Sequence, residues 1–183
     1  MGIFFINRYH SHDWGDDFAL YLMQAENLAS LKFQIPTYYV FNPLNPIIAP
    51  AYYPPIFPVF LSLFFPFIKT DINSYILLIH CLMISNIIVF WQYAKKNHAR
   101  LYVFLLCLLW LYNPWVLGFK NEVMSEFLFV FLLILFFHNF RKKDNFFLSI
   151  VFGSLMVATR TIGIVIIPTL LILSIFDKRW KYN

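Results

Sequence analysis

Apolar residues run through this chain in long blocks, and the polar residues collect between them. Ser74 to Tyr93 reads SYILLIHCLMISNIIVFWQY, Leu101 to Phe119 reads LYVFLLCLLWLYNPWVLGF, and Val123 to Phe140 reads VMSEFLFVFLLILFFHNF. Each approaches the roughly 20 residues that a helix needs to cross about 30 Å of hydrocarbon. The last block, Phe146 to Phe176, is longer, and Thr159, Arg160, Thr161 and Gly163 interrupt it. It predicts two short helices meeting at Arg160, with a single tilted helix as the alternative. A shorter block, Ile56 to Ile68, contains Pro58 and Pro66. It is too short to cross and predicts a helix lying half-buried along the membrane surface. Ahead of it, Phe18, Leu22, Ala25, Leu28 and Ala29 recur at helical spacing, with Tyr21 on the same side. The expected fold is all-α. Residues 74–183 form a polytopic transmembrane helix bundle of about four to five spans. Residues 1–73 form an outer juxtamembrane loop carrying two interfacial helices.

Composition agrees with the pattern. Of 183 residues, 61% are apolar and 13% are charged, against about 25% charged in an ordinary soluble domain. Phenylalanine alone occurs 23 times, and mean hydropathy is +0.67. Too little polar surface remains to cover a water-soluble body of this size. That excludes a soluble enzyme, a disordered tail and a nucleic-acid module. Cys81 and Cys107 both fall inside apolar runs and read as small core residues, not as a disulfide. Neither a zinc-ligand spacing nor a glycine-rich phosphate loop occurs.

The net charge of +5 becomes informative once it is located. Lys95, Lys96 and Arg100 separate the first two long blocks. Arg141, Lys142 and Lys143 follow the third, and Lys178, Arg179 and Lys181 follow the last. These three connectors hold nine of the fourteen basic residues but only two of the nine acidic ones. Basic connectors face the cytoplasm. The expected location is therefore a multi-pass protein of the plasma (inner) membrane, with residues 1–73 outside the cytoplasm. Met1 to Phe5 is too short to span, and no signal peptide is recognisable. Either the Ser74 span inserts with its N-terminus outside, or the chain is part of a longer one.

The outer side then collects the polar residues that can do chemistry. Asp16 and Asp17 stand at the start of the helical pattern, just after Gly15. Two readings fit them. Asp16 is an N-cap and Asp17 favours the positive end of the helix dipole. Alternatively, the pair is a carboxylate site at the membrane surface that acts as a general base or binds a divalent metal ion. His10, His12 and Asp13 are close enough in sequence to join it. The proline-rich stretch Ile35 to Pro55 predicts an ordered coil. Its aromatics, Tyr52 and Tyr53 among them, form either an interfacial belt or the wall of a sugar or lipid-headgroup site. Lys120, Asn121, Glu122, Ser125 and Glu126 lie on the same side, with Glu126 one turn into the third block. Glu126 and Arg160 are charges at membrane depth, where a charge marks function or needs a partner; the two could pair with each other. His80 and Asn86 predict helix–helix hydrogen bonds, and His138 predicts an interfacial position. No internal repeat supports a transporter.

In order along the chain, Asp16-Asp17 with Phe18 to Leu28, then Tyr52 to Pro58 (YYPPIFP), then Asn121 to Phe129 (NEVMSEFLF), then Ala158 to Gly163 (ATRTIG) resemble the amino-terminal half of a GT-C type membrane glycosyltransferase. The relatives are the protein O-mannosyltransferases and the lipid A aminoarabinose transferases. The resemblance implies inverting transfer of a sugar from a polyprenyl-phosphate donor to a hydroxyl of a lipid, glycan or protein acceptor, on the non-cytoplasmic face. It implies Asp16 as the catalytic base and Asp17 as the second acid. Tyr53 and Glu126 would line the substrate site, and Arg160 would compensate the donor's phosphate charge. The competing expectation is a non-catalytic membrane subunit or degenerate paralogue that keeps the fold.

Overall fold

A computed structural model describes residues 17–32, 54–140 and 145–169. These residues are helical with no strand among them. The helices are α1 (Phe18–Ala29), α2 (Ile56–Ser62), α3 (Phe65–Ile68), α4 (Ile72–Ala94), α5 (Arg100–Leu111), α6 (Pro114–Phe119), α7 (Glu126–Phe140) and α8 (Phe146–Val157), followed by a 3-10 turn at Thr161–Val165.

Among the described residues, α4 is the one helix long and apolar enough to cross a membrane. Its 23 residues rise about 34 Å at 1.5 Å per residue, enough for the hydrocarbon core. Its start is fixed by Asp71, an extended N-cap residue whose carboxylate accepts from the Asn73 N–H at 3.2 Å and also from the Ser74 hydroxyl. The other apolar helices, α5, α7 and α8, are shorter.

Two expected elements are broken where proline dictates. The Leu101 to Phe119 block is not one helix. Helix α5 ends at Leu111, and α6 starts at Pro114. Pro114 lacks an N–H, and the residue before it is pushed out of helical geometry. Asn113 is accordingly extended, and its side chain accepts from the Trp115 N–H at 2.9 Å. The Ile56 to Ile68 stretch likewise forms two short helices, α2 and α3, divided at Leu63 and Phe64, with Pro66 in the first turn of α3. The final block behaves as expected as far as Thr169. Helix α8 stops at Val157, Arg160 is extended, and the 3-10 turn begins at Thr161.

Helices α1, α2, α4, α7 and α8 share one apolar core. Phe57, Leu61, Tyr75, Ile76 and Ile79 are fully buried there, with Val123 just ahead of α7. Helix α1 lies on α2, where the rings of Tyr21 and Phe57 meet edge to face at 4.9 Å. Helix α7 is sandwiched between α4 and α8. At the α7–α8 contact a side chain on Gly153 would come within 3.2 Å of the Phe136 ring, the close approach that small residues allow between helices. From α4 to α7, the Asn86 side-chain amide donates to the Phe127 carbonyl at 2.9 Å. His80 does not bridge helices as expected. Its Nδ1 lies 2.7 Å from the carbonyl of Ile76, one turn earlier in the same helix. The cysteines form no disulfide, and Cys107 is buried. Cys81 is exposed and so is not the core residue that its apolar surroundings predicted.

Candidate functional site

Four stretches carried chemistry in the sequence, and their described parts meet at one end of this core. Helix α7 starts at Glu126 itself, with the Ser125 carbonyl accepting its first bond from the Phe129 N–H at 2.9 Å. Glu126 is therefore at the positive end of the helix dipole, not one turn inside, and that position favours a carboxylate. Arg160 reaches it from the break after α8, and its guanidinium donates to Glu126 Oε1.

The backbone explains how Arg160 gets there. Helix α8 closes with Ala158 N–H on Ser154 at 2.9 Å and Arg160 N–H on Met156 at 3.1 Å. Arg160 then turns extended, at φ −146° and ψ 129°. Gly163 holds the following 3-10 turn against the end of α8. A Cβ there would lie 3.0 Å from the Val157 Cα and 3.2 Å from the Met156 carbonyl oxygen. A residue without a side chain makes that approach without displacing the backbone it meets.

Helix α1 supplies the third side. Asp17 occupies its N-cap position in helical geometry, with no side-chain capping bond to the helix. One turn on, the hydroxyls of Tyr21 and Ser125 hydrogen-bond to each other. Burial raises the Tyr21 phenol above its ordinary value of 10.0, and the Ser125 bond lowers it. The charges of Asp17 and Glu126 raise it further, while Arg160 lowers it. Asp17, Glu126 and Arg160 therefore all lie near enough to one phenol for their charges to act on it. Helix α2 is tied to the same place: the Ile56 N–H donates to the Ala158 carbonyl at 3.1 Å.

The structure thus brings together Asp17, Glu126 and Arg160. Asp16 and Tyr53 lie outside the described residues, as do His10, His12 and Asp13. Lys120 donates to its neighbour Asn121 at 3.0 Å. Among the described residues no three His, Cys, Asp or Glu side chains gather as metal ligands. Asp17 is the one described member of the expected metal pair Asp16–Asp17.

One residue of the site, and a buried polar residue on the same helix, escaped the sequence reading. Tyr21 read only as part of the apolar face of α1, yet its hydroxyl bonds Ser125 and feels the charges of Asp17, Glu126 and Arg160. Gln24, three residues further along, is 1% exposed, and neither its amide nitrogen nor its oxygen has a hydrogen-bond partner. A glutamine on the buried side of an amphipathic helix was the available signal. Glu126 Oε2 is likewise buried without a partner. Buried polar atoms are nearly always satisfied; Tyr75 Oη, His80 Nε2 and Asn86 Oδ1 are buried without a partner as well. No known protein family matches the chain, and neither the curated proteins nor the solved structures compared with it give a match.

Proposed function

We propose that the chain is a membrane glycosyltransferase, or a piece of one, that transfers a sugar from a polyprenyl-phosphate donor to an acceptor hydroxyl on the non-cytoplasmic face. In this reading α4 crosses the bilayer, and α5 with α6, α7 and α8 complete a polytopic bundle around it. The basic 95–100 connector faces the cytoplasm, and the Glu126–Arg160 end faces out.

The observation that carries the reading is the meeting of Asp17, Tyr21, Ser125, Glu126 and Arg160, drawn from segments far apart in sequence. Acid–base transfer needs this mixture. The acceptor hydroxyl needs a positioned base, and Asp16, beside Asp17, takes that role. As the acceptor oxygen bonds to the anomeric carbon, the bond from that carbon to the carrier phosphate breaks, and the carbon inverts. The hydroxyl proton passes to the Asp16 carboxylate. The departing phosphate gathers negative charge, which a fixed cation stabilises, and Arg160 is the cation at hand. The sequence resemblance assigns Tyr53 to the sugar site. The unpartnered Gln24 amide and Glu126 Oε2 suit sugar hydroxyls, which both donate and accept.

A second reading is favoured by the Glu126–Arg160 pair itself. Each charge neutralises the other, as in a structural clasp of a non-catalytic membrane subunit. Transfer from a radiolabelled polyprenyl-phosphate sugar to an endogenous membrane acceptor separates the two. The enzyme reading expects Asp16→Asn to reduce transfer by about 100-fold or more with membrane insertion unchanged. Transfer that survives the change removes Asp16 as base, and no transfer by the wild-type chain favours the clasp.

A further inference from the structure

The end of the α4–α5 pair away from Glu126 carries a second feature, which sugar transfer does not use. A chamber of about 220 Å³ opens between the two helices, lined by Tyr93, Asn97, His98 and Tyr102. It shares Phe90 and Leu106 with a slot of about 300 Å³ that runs on between α4, α5 and α7 past Ile87, Cys107, Trp110 and Val130. The two adjoin along α4 and α5 as one groove walled in common by Phe90 and Leu106, with polar groups at the helix ends and, Asn86 apart, an apolar lining further in. Lys95, Lys96 and Arg100 are exposed in the connector at its polar mouth, and no Asp or Glu occurs from Ile72 to Asn121. The mouth is therefore positive with no carboxylate of the hairpin to neutralise it.

We propose that this groove holds one anionic phospholipid, with its phosphate headgroup in the Asn97–His98–Tyr102 chamber beside the three cations and one acyl chain in the slot. Charge complementarity selects an anion, because basic pockets between membrane helices on the cytoplasmic side attract anionic headgroups. The adjoining apolar slot selects a lipid over a soluble anion, which has nothing to place there. The exposed flanks of α4 and α5 (Ile88, Leu101 and Leu105) leave the groove open sideways to the bilayer from which a lipid enters. The proposal rests on α4 crossing the membrane, but not on sugar transfer.

Native mass spectrometry of the full chain in mild detergent, titrated with dioleoylphosphatidylglycerol or dioleoylphosphatidylcholine, tests it, alongside carbonate extraction of the membrane-expressed chain. The expected result is a first-bound lipid with roughly tenfold preference for phosphatidylglycerol, since each basic residue near the headgroup contributes to that attraction. The K95Q/K96Q/R100Q variant changes only exposed side chains and is expected to lose the preference. Cys107→Phe, which fills the slot, is expected to weaken both lipids. Equal affinity of the wild-type chain for the two lipids, or a preference that persists in the K95Q/K96Q/R100Q variant, overturns the proposal. Displacement of phosphatidylglycerol by millimolar inorganic phosphate also overturns it, in favour of a soluble anion. Release of the chain by carbonate overturns the membrane reading and this proposal together, whereas insertion without lipid preference overturns this proposal alone.

Discussion

The backbone N–H of Ile56 donates to the carbonyl of Ala158 at 3.1 Å, joining the ProPro turn that opens α2 to the break that releases Arg160. Two segments about a hundred residues apart are thereby locked at the same spot. Tyr21 meets Phe57 of α2 on one side and Ser125 on the other, so α1 is held by both. The polar spot is a junction of helix ends, and its precision depends on how those ends are fixed.

The Glu126–Arg160 pair is asymmetric, and so are its expected mutants. Arg160 has a side-chain exposure of 37%, and Glu126 of 21% with one oxygen already buried without a partner. Without Glu126 the guanidinium can turn to water or headgroups. Without Arg160 the carboxylate is left beneath the surface. Arg160→Gln is expected to destabilise by about 1–3 kcal/mol and Glu126→Gln by less, measured as shifts in thermal unfolding in detergent. Arg160→Lys, which keeps the charge, is expected to retain more transfer than Arg160→Gln. Equal destabilisation by the two glutamine variants would argue against the asymmetry.

Gly163→Ala places a methyl group 3.0–3.2 Å from the backbone of Met156 and Val157, which must shift by a few tenths of an ångström to admit it. Overpacking of this kind costs about 1–3 kcal/mol. The expected outcome is a lower unfolding midpoint together with reduced transfer, because the turn that aims Arg160 is displaced. An unchanged midpoint would mean that the turn shifts freely.

Asn86 carries the hydrogen bond between α4 and α7. Side-chain bonds between membrane helices contribute about 0.6–2 kcal/mol. Asn86→Ala is expected to lower stability within that range and, because its acceptor Phe127 directly follows Glu126, to reduce transfer by loosening the start of α7. Comparison with wild type by thermal unfolding checks the first part, and the radiolabelled transfer assay checks the second.

Helix positions were legible in the sequence wherever an apolar block met a polar or proline boundary. The Ser74 to Tyr93 block matches α4 within two residues at its start and one at its end, and the Arg160 interruption falls where α8 gives way to the 3-10 turn. What hydropathy alone missed was geometry internal to a block. Pro114 was visible but lay inside a run apolar enough to hide it, and only its effect on Asn113 divides α5 from α6. His80 and Asn86 looked equivalent, being polar residues within the same span. Their difference arises because Asn86 faces the α7 backbone, whereas His80 finds a carbonyl in its own helix first. The Glu126–Arg160 partnership was legible as an alternative because both are charges at membrane depth. The role of Tyr21 was not, since an aromatic on an amphipathic face looks the same whether its hydroxyl is used or not.

Sidedness tests the account most directly. In a Cys81→Ser/Cys107→Ser background, Ser30→Cys reports on the end of α1 and Asn97→Cys on the basic connector; both positions are exposed. A membrane-impermeant maleimide applied to intact cells is expected to label Ser30→Cys without lysis and Asn97→Cys only after it. Labelling of Asn97→Cys in intact cells, with Ser30→Cys protected until lysis, would turn the polar junction toward the cytoplasm and contradict the transfer of a carrier-borne sugar on the outer face.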